Sequence, residues 1–212
     1  MSEHRPLTIA HRAGNDLARL RAAIAADVDY TEADVWLAGD ELAVQHDRPA
    51  ALAWWGPFWP LRRAPLPLTE VLAGARGTTL LIDISGRDPD TAQAVAGAVD
   101  QAGAEDRVAG CGDWNHLDRL GELLPRVPRF YTIGKVRDLE SLRPRLARRE
   151  VRAVSIYRGA VTPAIVRELK NAGVETTIAW TVNDPAEARR LLSWGIDGIT
   201  SDSLELLAAL RS

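Results

Sequence analysis

Hydrophobic residues along the chain recur in two alternating patterns. Short runs of apolar and β-branched residues, typical of buried strands, are followed by longer segments with apolar residues three or four positions apart, typical of helices. This alternation continues to the end of the chain and predicts an α/β fold, a parallel sheet covered by helices. Eight main strands favour a closed barrel over an open sheet. The predicted strands are 7–11, 29–36, 79–84, 107–111, 129–133, 153–157, 176–182 and 197–200, with a shorter extended stretch at 41–46.

Capping residues mark where several predicted helices begin. Asp88 and Thr162 each stand immediately before a proline, which places a capping side chain next to a residue favoured in the first helical turn. Asp184 also precedes a proline and is followed by Glu187 at the third helical position, which predicts a capping box. No linker or low-complexity segment interrupts the chain, so we predict a single domain over residues 1–212.

Residues 47–67 do not follow the alternation. They are rich in proline and tryptophan and show neither helical nor strand periodicity, which predicts a short insertion after the second strand. Because the carboxyl ends of barrel strands surround the mouth of the barrel, a segment that leaves such an end lies beside the mouth. Two interpretations stay open: a plug over the barrel rim, or an apolar wall or membrane-touching lip for a lipid-like substrate. The aromatic residues concerned are Trp54, Trp55, Phe58 and Trp59.

The composition narrows the possible functions. Of the 212 residues, 46% are hydrophobic, which suffices for a substantial core and is untypical of a disordered protein. A net charge of −3 gives no support for non-specific binding of nucleic acid, which favours a basic face. With a single cysteine the chain cannot form an internal disulfide, and we expect Cys111 to be a small buried side chain.

Neither a leader peptide nor a transmembrane segment is indicated. The first residues lack the apolar core of a signal peptide, and no apolar run approaches the length needed to span a bilayer. We therefore expect a cytoplasmic protein.

Two histidines bracket a Glu-x-Asp pair within the first 46 residues: His11, Glu32, Asp34 and His46. Because side chains alternate along a strand, Glu32 and Asp34 share a face and are spaced to hold a hard cation. Two imidazoles beside such a cation provide one proton acceptor and one proton donor, which phosphodiester cleavage requires. The alternatives are structural histidines that cap strand ends, and an ion pair between these carboxylates and Arg12.

Several segments resemble, in order, the motifs of the glycerophosphodiester phosphodiesterases. The N-terminal ones are Ile9-Ala10-His11-Arg12, Glu32-Ala33-Asp34-Val35 and His46-Asp47. The later ones are Pro67–Leu72, Ala179–Asp184 and Gly195–Asp202. The resemblance implies a TIM (β/α)8 barrel of the phospholipase-C-like phosphodiesterase type. It also implies a metal-dependent hydrolase that cleaves glycerophosphodiesters, small-molecule substrates, to an alcohol and glycerol phosphate.

The same resemblance implies roles for individual residues. His11 and His46 would be the catalytic acid and base, in an order that the sequence does not decide. Arg12 would bind the substrate phosphate, with a salt bridge to a barrel carboxylate such as Glu32 as the alternative. Trp180 would line the substrate pocket or serve only barrel packing. The metal ligands would be Glu32, Asp34 and Asp83, and because all are oxygen donors the ion would be Mg²⁺ or Ca²⁺.

Two departures from the family pattern concern the substrate. Where the family has Glu-x-Lys, this chain reads Asp83-Ile84-Ser85, so the carboxylate is one methylene shorter and the lysine charge is missing. The candidates to supply that charge each follow a predicted strand end: Arg87, Lys135 and Arg158. The first loop also lacks the family's Pro-Glu-Asn-Thr turn, and Asn15 or Asp16 is expected to cap the helix that follows directly.

These departures leave two alternatives to a glycerophosphodiesterase. One is a lysophospholipase D-like enzyme that acts on a more apolar phosphodiester, which the tryptophan cluster favours. The other is a non-catalytic relative that binds a phosphorylated ligand, which the retained histidines and carboxylates disfavour.

Overall fold

The computed structural model describes residues 5–46, 65–86 and 88–211. Its strands are β1 (Leu7–Ala10), β2 (Tyr30–Ala38), β3 (Glu41–Val44), β4 (Leu66–Pro67), β5 (Thr79–Ile84), β6 (Val108–Gly112), β7 (Arg129–Ile133), β8 (Ala153–Tyr157), β9 (Thr176–Trp180) and β10 (Gly198–Ser201). Eight of them are parallel and form a closed ring in the order β1, β2, β5, β6, β7, β8, β9, β10, because β1 pairs with both β2 and β10.

Helices alternate with the barrel strands and cover the outside of the ring. They are α1 (Leu17–Ala25), α2 (Leu68–Gly74), α3 (Thr91–Gln101), α4 (Trp114–Leu123), α5 (Val136–Ala147), α6 (Pro163–Asn171), α7 (Pro185–Ser193) and α8 (Leu204–Ala209). The fold is a TIM barrel, as predicted, and the ends of the predicted strands differ from the observed ones by at most two residues. No helix in the described ranges is long and apolar enough to cross a membrane.

The capping predictions are confirmed at two helices and wrong at a third. Thr162 accepts a hydrogen bond from a backbone N–H of the first turn of α6, and Asp184 accepts two from α7, although Glu187 does not complete the predicted capping box there. Asp88 does not cap α3, which begins later, at Thr91. Instead Asp88 forms a turn before the helix: its Oδ1 accepts from the N–H of Asp90 at 3.0 Å and its carbonyl from the hydroxyl of Thr91 at 2.9 Å.

A two-stranded arm extends from the carboxyl end of β2. The last residues of β2 pair antiparallel with β3 across a turn in which Gly39 has a φ of 64°, and β3 pairs in turn with β4. Leu66 and Pro67, predicted as part of the insertion, form β4 and so belong to this arm. The predictions for Trp54, Trp55, Phe58 and Trp59 lie outside the described residues.

Apolar residues fill the barrel interior below the carboxyl ends of the strands. The inward-facing cluster consists of Ile9, Leu81, Ala109, Cys111, Phe130, Ala153 and Ile178. Larger clusters join the outer faces of the strands to the helices, and each large side chain buried there contributes about 1.5–3 kcal/mol. Because the inward-facing positions nearer the amino ends of the strands are apolar, the polar inward-facing side chains are concentrated at the rim formed by the carboxyl ends.

Asp29 joins both ends of the chain to the amino end of the barrel. Its Oδ2 accepts hydrogen bonds from the backbone N–H and the hydroxyl of Thr8, each at 2.8 Å. Its Oδ1 accepts from Arg5 at 2.7 Å and from Arg211 at 3.2 Å. This carboxylate therefore holds β1, the entry to β2 and the end of the chain together.

Candidate active site

Three carboxylates converge at the carboxyl ends of β2 and β5. Glu32 and Asp34 lie two residues apart on β2 and so point to the same, inward side, and Asp34 is the register partner of Asp83 on β5. One carboxylate oxygen from each of the three lies within 4.8 Å of the others. The fold therefore brings the three residues that were predicted as metal ligands close together.

The electrostatics of these carboxylates fit a bound cation. Burial, together with the charges of Asp34 and Asp83, raises the pKa of Glu32, which is 5% exposed. Burial and the charge of Asp34 raise the pKa of Asp83 from 3.8 to about 6. Like charges in a poorly solvated site are unfavourable unless a proton or a cation neutralises them. Three oxygen donors are the ligands that hard divalent ions prefer, and the shorter Asp83 still reaches the group.

Arg12 has an unusual backbone conformation beside this cluster. Its φ of 53° and ψ of 19° lie in the left-handed region, which is uncommon for a residue other than glycine. In this conformation its N–H donates a hydrogen bond to Glu32 Oε2 at 2.6 Å, and its Nε lies 3.7 Å from Asp34 Oδ2. The guanidinium thus contacts Asp34, whereas its contact with Glu32 is through the backbone.

Asn15 holds Asp34 in place. Its Nδ2 donates to Asp34 Oδ2 at 2.6 Å, and its Oδ1 accepts from the N–H of Asp34 at 3.0 Å. The helix cap is Asp16, which accepts from the N–H groups of Ala18 and Arg19. Of the two capping candidates in the first loop, Asp16 therefore caps α1 while Asn15 positions a carboxylate.

His11 is oriented by a carboxylate from the last barrel strand. Its Nδ1 lies 2.8 Å from Asp202 Oδ1, and Asn183 donates to the other oxygen of Asp202 at 2.9 Å. Burial lowers the pKa of His11 below 6.5, although Asp202 opposes this shift. With Nδ1 held by Asp202, Nε2 is the ring nitrogen left for a substrate. Neither Asp202 nor Asn183 had a predicted role, although both lie in the segments that resemble the family, Gly195–Asp202 and Ala179–Asp184.

All seven predicted site residues line one cavity of about 240 Å³. It is lined by His11, Arg12, Glu32, Asp34, His46, Leu81, Asp83, Cys111, Thr132, Ser155, Trp180 and Thr200. His46 reaches it from the arm, where the N–H of Gln45 donates to the carbonyl of Asp34 at 3.0 Å. A larger cavity of about 600 Å³ lies at the amino ends of the strands, where Tyr30 and Val108 line it, away from these groups.

The lysine charge missing at Ser85 is not replaced by the candidates that the structure describes. The Ser85 side chain contacts the carbonyl of Val35 at 3.4 Å and does not line the cavity. Arg158 pairs with Glu187 at 2.8 Å. Lys135 is exposed and Arg87 lies outside the described residues. Within the described ranges, Arg12 is the one arginine or lysine that lines the cavity.

Trp180 forms part of the cavity wall. Its ring contacts that of Tyr157, with centroids 5.4 Å apart and planes inclined by 57°. Its Nε1 is buried and has no hydrogen-bond partner among the described residues.

Comparison with known proteins identifies the relatives of this barrel. The model of the glycerophosphoryl diester phosphodiesterase family matches residues 84–206, more than half of the chain. A phosphodiesterase from Oleispira antarctica, solved in complex with the product sn-glycerol-3-phosphate, superposes with a TM-score of 0.83 and 21% identity, over 98% of each chain. A glycerophosphodiester phosphodiesterase from Parabacteroides distasonis superposes with a TM-score of 0.80 and 20% identity, over 99% of this chain and 98% of that one. No curated protein sequence matches the chain.

Gly112 is predicted to be required for the position of Asp83. A Cβ at Gly112 would lie 2.5 Å from Asp83 Oδ1 and 2.5 Å from the carbonyl oxygen of Ile84, and the φ of 108° disfavours any side chain. Gly112→Ala should therefore destabilise the fold by on the order of 2 kcal/mol in urea denaturation and weaken calorimetric binding of divalent ions.

Gly97→Ala is the matched control, because a Cβ at this site in α3 meets nothing within 4 Å. It should stabilise the fold by up to about 1 kcal/mol, since alanine favours a helix over glycine. Equal effects of the two substitutions would contradict the steric role of Gly112.

Removing the charge of Asp83 should stabilise the metal-free protein. Because folding raises the pKa of Asp83 from 3.8 to about 6, its ionisation lowers the free energy of unfolding as the pH rises through that interval. Without divalent ions, Asp83→Asn should exceed the wild type by on the order of 2 kcal/mol at pH 7, and the difference should vanish near pH 4. Excess Mg²⁺ or Ca²⁺ should reverse the order, because only the wild type keeps the third carboxylate. A variant that is less stable than the wild type at pH 7 without divalent ions would show that these carboxylates do not repel.

Proposed function

The chain belongs to the glycerophosphoryl diester phosphodiesterase family, a family of phosphoric diester hydrolases, and from this membership we propose that it hydrolyses glycerophosphodiesters to an alcohol and glycerol phosphate. The observation that carries the proposal is the convergence of two histidines and three carboxylates on one cavity. The match to the family begins at residue 84, so the roles of the earlier residues are argued from their geometry.

Glu32, Asp34 and Asp83 are proposed to hold Mg²⁺ or Ca²⁺. Such an ion, when bound, neutralises phosphate charge and makes the phosphorus more electrophilic. The chain prepares the site by fixing two of the three ligands: the N–H of Arg12 holds Glu32, and Asn15 holds Asp34. Arg12 then offers its guanidinium to the phosphate oxygens, since its side chain is 38% exposed at the cavity and its Nε lies 3.7 Å from Asp34 without a hydrogen bond.

His11 is proposed as the base and His46 as the acid. The lowered pKa of His11 keeps the ring neutral near pH 7, and Asp202 fixes its orientation, so Nε2 can accept a proton from the attacking hydroxyl. That hydroxyl comes from water, which gives glycerol phosphate directly, or from the glycerol of the substrate, which gives a cyclic phosphate that water opens in a second step. His46, exposed at the mouth, is placed to donate a proton to the departing alcohol.

The two alternative functions, a lysophospholipase D-like activity and a non-catalytic binding role, depend on different residues. A lysophospholipase D-like activity rests on Trp54, Trp55 and Trp59, which lie outside the described residues. A non-catalytic binding role is disfavoured, because the groups needed for both proton transfers line the same cavity as the carboxylates. The single domain over residues 1–212 and the cytoplasmic location stay predictions.

The proposed function is tested by a screen of phosphodiesters. Wild-type protein is incubated with sn-glycero-3-phosphocholine and with a lysophospholipid, in Mg²⁺, Ca²⁺ or chelator, and glycerol phosphate is quantified. We expect metal-dependent release from the glycerophosphodiester, and His11→Ala and His46→Ala should each lower kcat by about 10²–10⁴-fold. His116→Ala, a buried histidine outside the cavity, is the control and should retain turnover. A folded His11 or His46 variant with near-wild-type turnover would exclude that residue from the chemistry.

Asp202 is predicted to be a positioning residue whose loss changes the pH profile. Its charge and hydrogen bond raise the pKa of His11, so Asp202→Asn should move the acidic limb of kcat/KM to lower pH. Loss of the fixed ring orientation should also lower turnover by about 10- to 100-fold. Reduced activity with an unmoved acidic limb would indicate a structural role only.

A further inference from the structure

Three residues with hydroxyl groups line the cavity on strands β7, β8 and β10, and Trp180 of β9 lies between the last two strands. Thr132 and Ser155 are register partners on β7 and β8, and Thr200 pairs with Ile9 between β10 and β1. All three line the cavity that contains the carboxylates. The metal-binding carboxylates lie on β2 and β5, so the cavity has an acidic arc and a hydroxyl-bearing arc.

The hydroxyls of Ser155 and Thr200 have no partners within the described part of the protein. Ser155 is 6% exposed and Thr200 is 3% exposed. Thr200 Oγ1 is buried without a hydrogen bond, and no side-chain hydrogen bond is formed by Ser155 with the described residues. In the described conformation the Thr200 oxygen is buried, so contact with a ligand in the cavity requires a rotation about χ1, which moves the oxygen to the position of another substituent of Cβ.

Thr132 differs in that its hydroxyl already has one partner. Its Oγ1 accepts a hydrogen bond from the N–H of Gly112 at 3.0 Å, which leaves the hydroxyl hydrogen free to donate. A buried hydroxyl without a partner, as at Thr200, destabilises a fold, and valine would fill that position without the cost, whereas the hydroxyl of Ser155 is open to the cavity and can contact a ligand directly. The fold tolerates such a hydroxyl elsewhere, at Thr177, so it is the position of these three residues beside the carboxylates that points to a polar ligand.

The chemistry of this arc fits an alcohol. A hydroxyl group both donates and accepts, which matches the hydroxyls of a neutral polyol better than it matches an anion or a cation. The cavity volume of about 240 Å³ is small for a ligand site, so it admits a compact group and leaves the second alcohol of a diester towards the mouth.

We propose that Thr132, Ser155 and Thr200 form a hydroxyl wall that binds the free hydroxyl groups of the glycerol moiety and so determines substrate specificity. This inference rests on the proposed function, because it assigns the glycerol half of the diester to the inner cavity. An alkyl group in that place would leave the wall without partners, and sites built to bind a hydroxyl discriminate strongly against analogues that lack it.

The wall is tested by binding of two product-like monoesters, independently of turnover. Glycerol 3-phosphate and n-propyl phosphate carry the same phosphate and the same number of carbon atoms, but only the first has free hydroxyls. Calorimetric titration in saturating Mg²⁺ should show that the wild type binds glycerol 3-phosphate more tightly, by on the order of 10-fold.

Ser155→Ala and Thr200→Val should each weaken glycerol 3-phosphate binding by roughly 3- to 10-fold and change propyl phosphate binding by less than about 2-fold. Thr200→Ser should restore most of the loss. Thr177→Val is the matched control: Thr177 is 1% exposed and its Oγ1 also lacks a described partner, but it does not line the cavity. Thermal unfolding of each variant verifies its fold.

The inference is overturned if the wild type does not prefer glycerol 3-phosphate, if both ligands weaken equally, or if Thr177→Val has the same effect as Thr200→Val. Hydrolysis of sn-glycero-3-phosphocholine by the same samples separates this result from the proposed function. Selective binding without hydrolysis would support the wall and contradict the function. Hydrolysis together with unselective binding would support the proposed function and contradict the hydroxyl wall.

Discussion

Three carboxylates at the ends of two neighbouring strands repel one another, and much of the surrounding structure serves to hold them in spite of that repulsion. The N–H of Arg12 binds Glu32, the amide of Asn15 binds Asp34, and the missing side chain of Gly112 leaves room for Asp83. The left-handed backbone of Arg12 belongs to the same arrangement, because it is in this conformation that the N–H meets Glu32. The rim of the barrel therefore stores electrostatic free energy that a cation can release.

Closure of the barrel connects this acidic group to the end of the chain. β1 pairs with β10 in a register that sets Ala10 beside Ser201, so the residues that follow, His11 and Asp202, are adjacent although 191 positions separate them. At the opposite end, Asp29 links the first and last described segments. The proposed base thus depends for its orientation on the completeness of the ring.

The parts of this site that follow from local periodicity could be predicted from the sequence. The alternation of side chains along β2 predicted that Glu32 and Asp34 share a face. The alternation of eight predicted strands with helices predicted the barrel. The contact between His11 and Asp202 depends on ring closure, which no local pattern contains. The roles of Asn15 and Asp16 could not be separated, because either residue type caps a helix and only three-dimensional contacts distinguish them. The hydroxyls of Ser155 and Thr200 gave no signal, since serine and threonine are ordinary residues in strands.

The arm formed by β3 and β4 has a consequence for how such barrels diversify. Val44 and Leu66 are register partners, so the described residues on either side of residues 47–64 are held close together. The entropy of closing a loop grows only slowly with its length when its ends are already fixed together. Segments of different size can therefore join these two points without separating β3 from β4. The pairing of β3 with β4 thus makes the ring of barrel strands insensitive to the length of the segment between them.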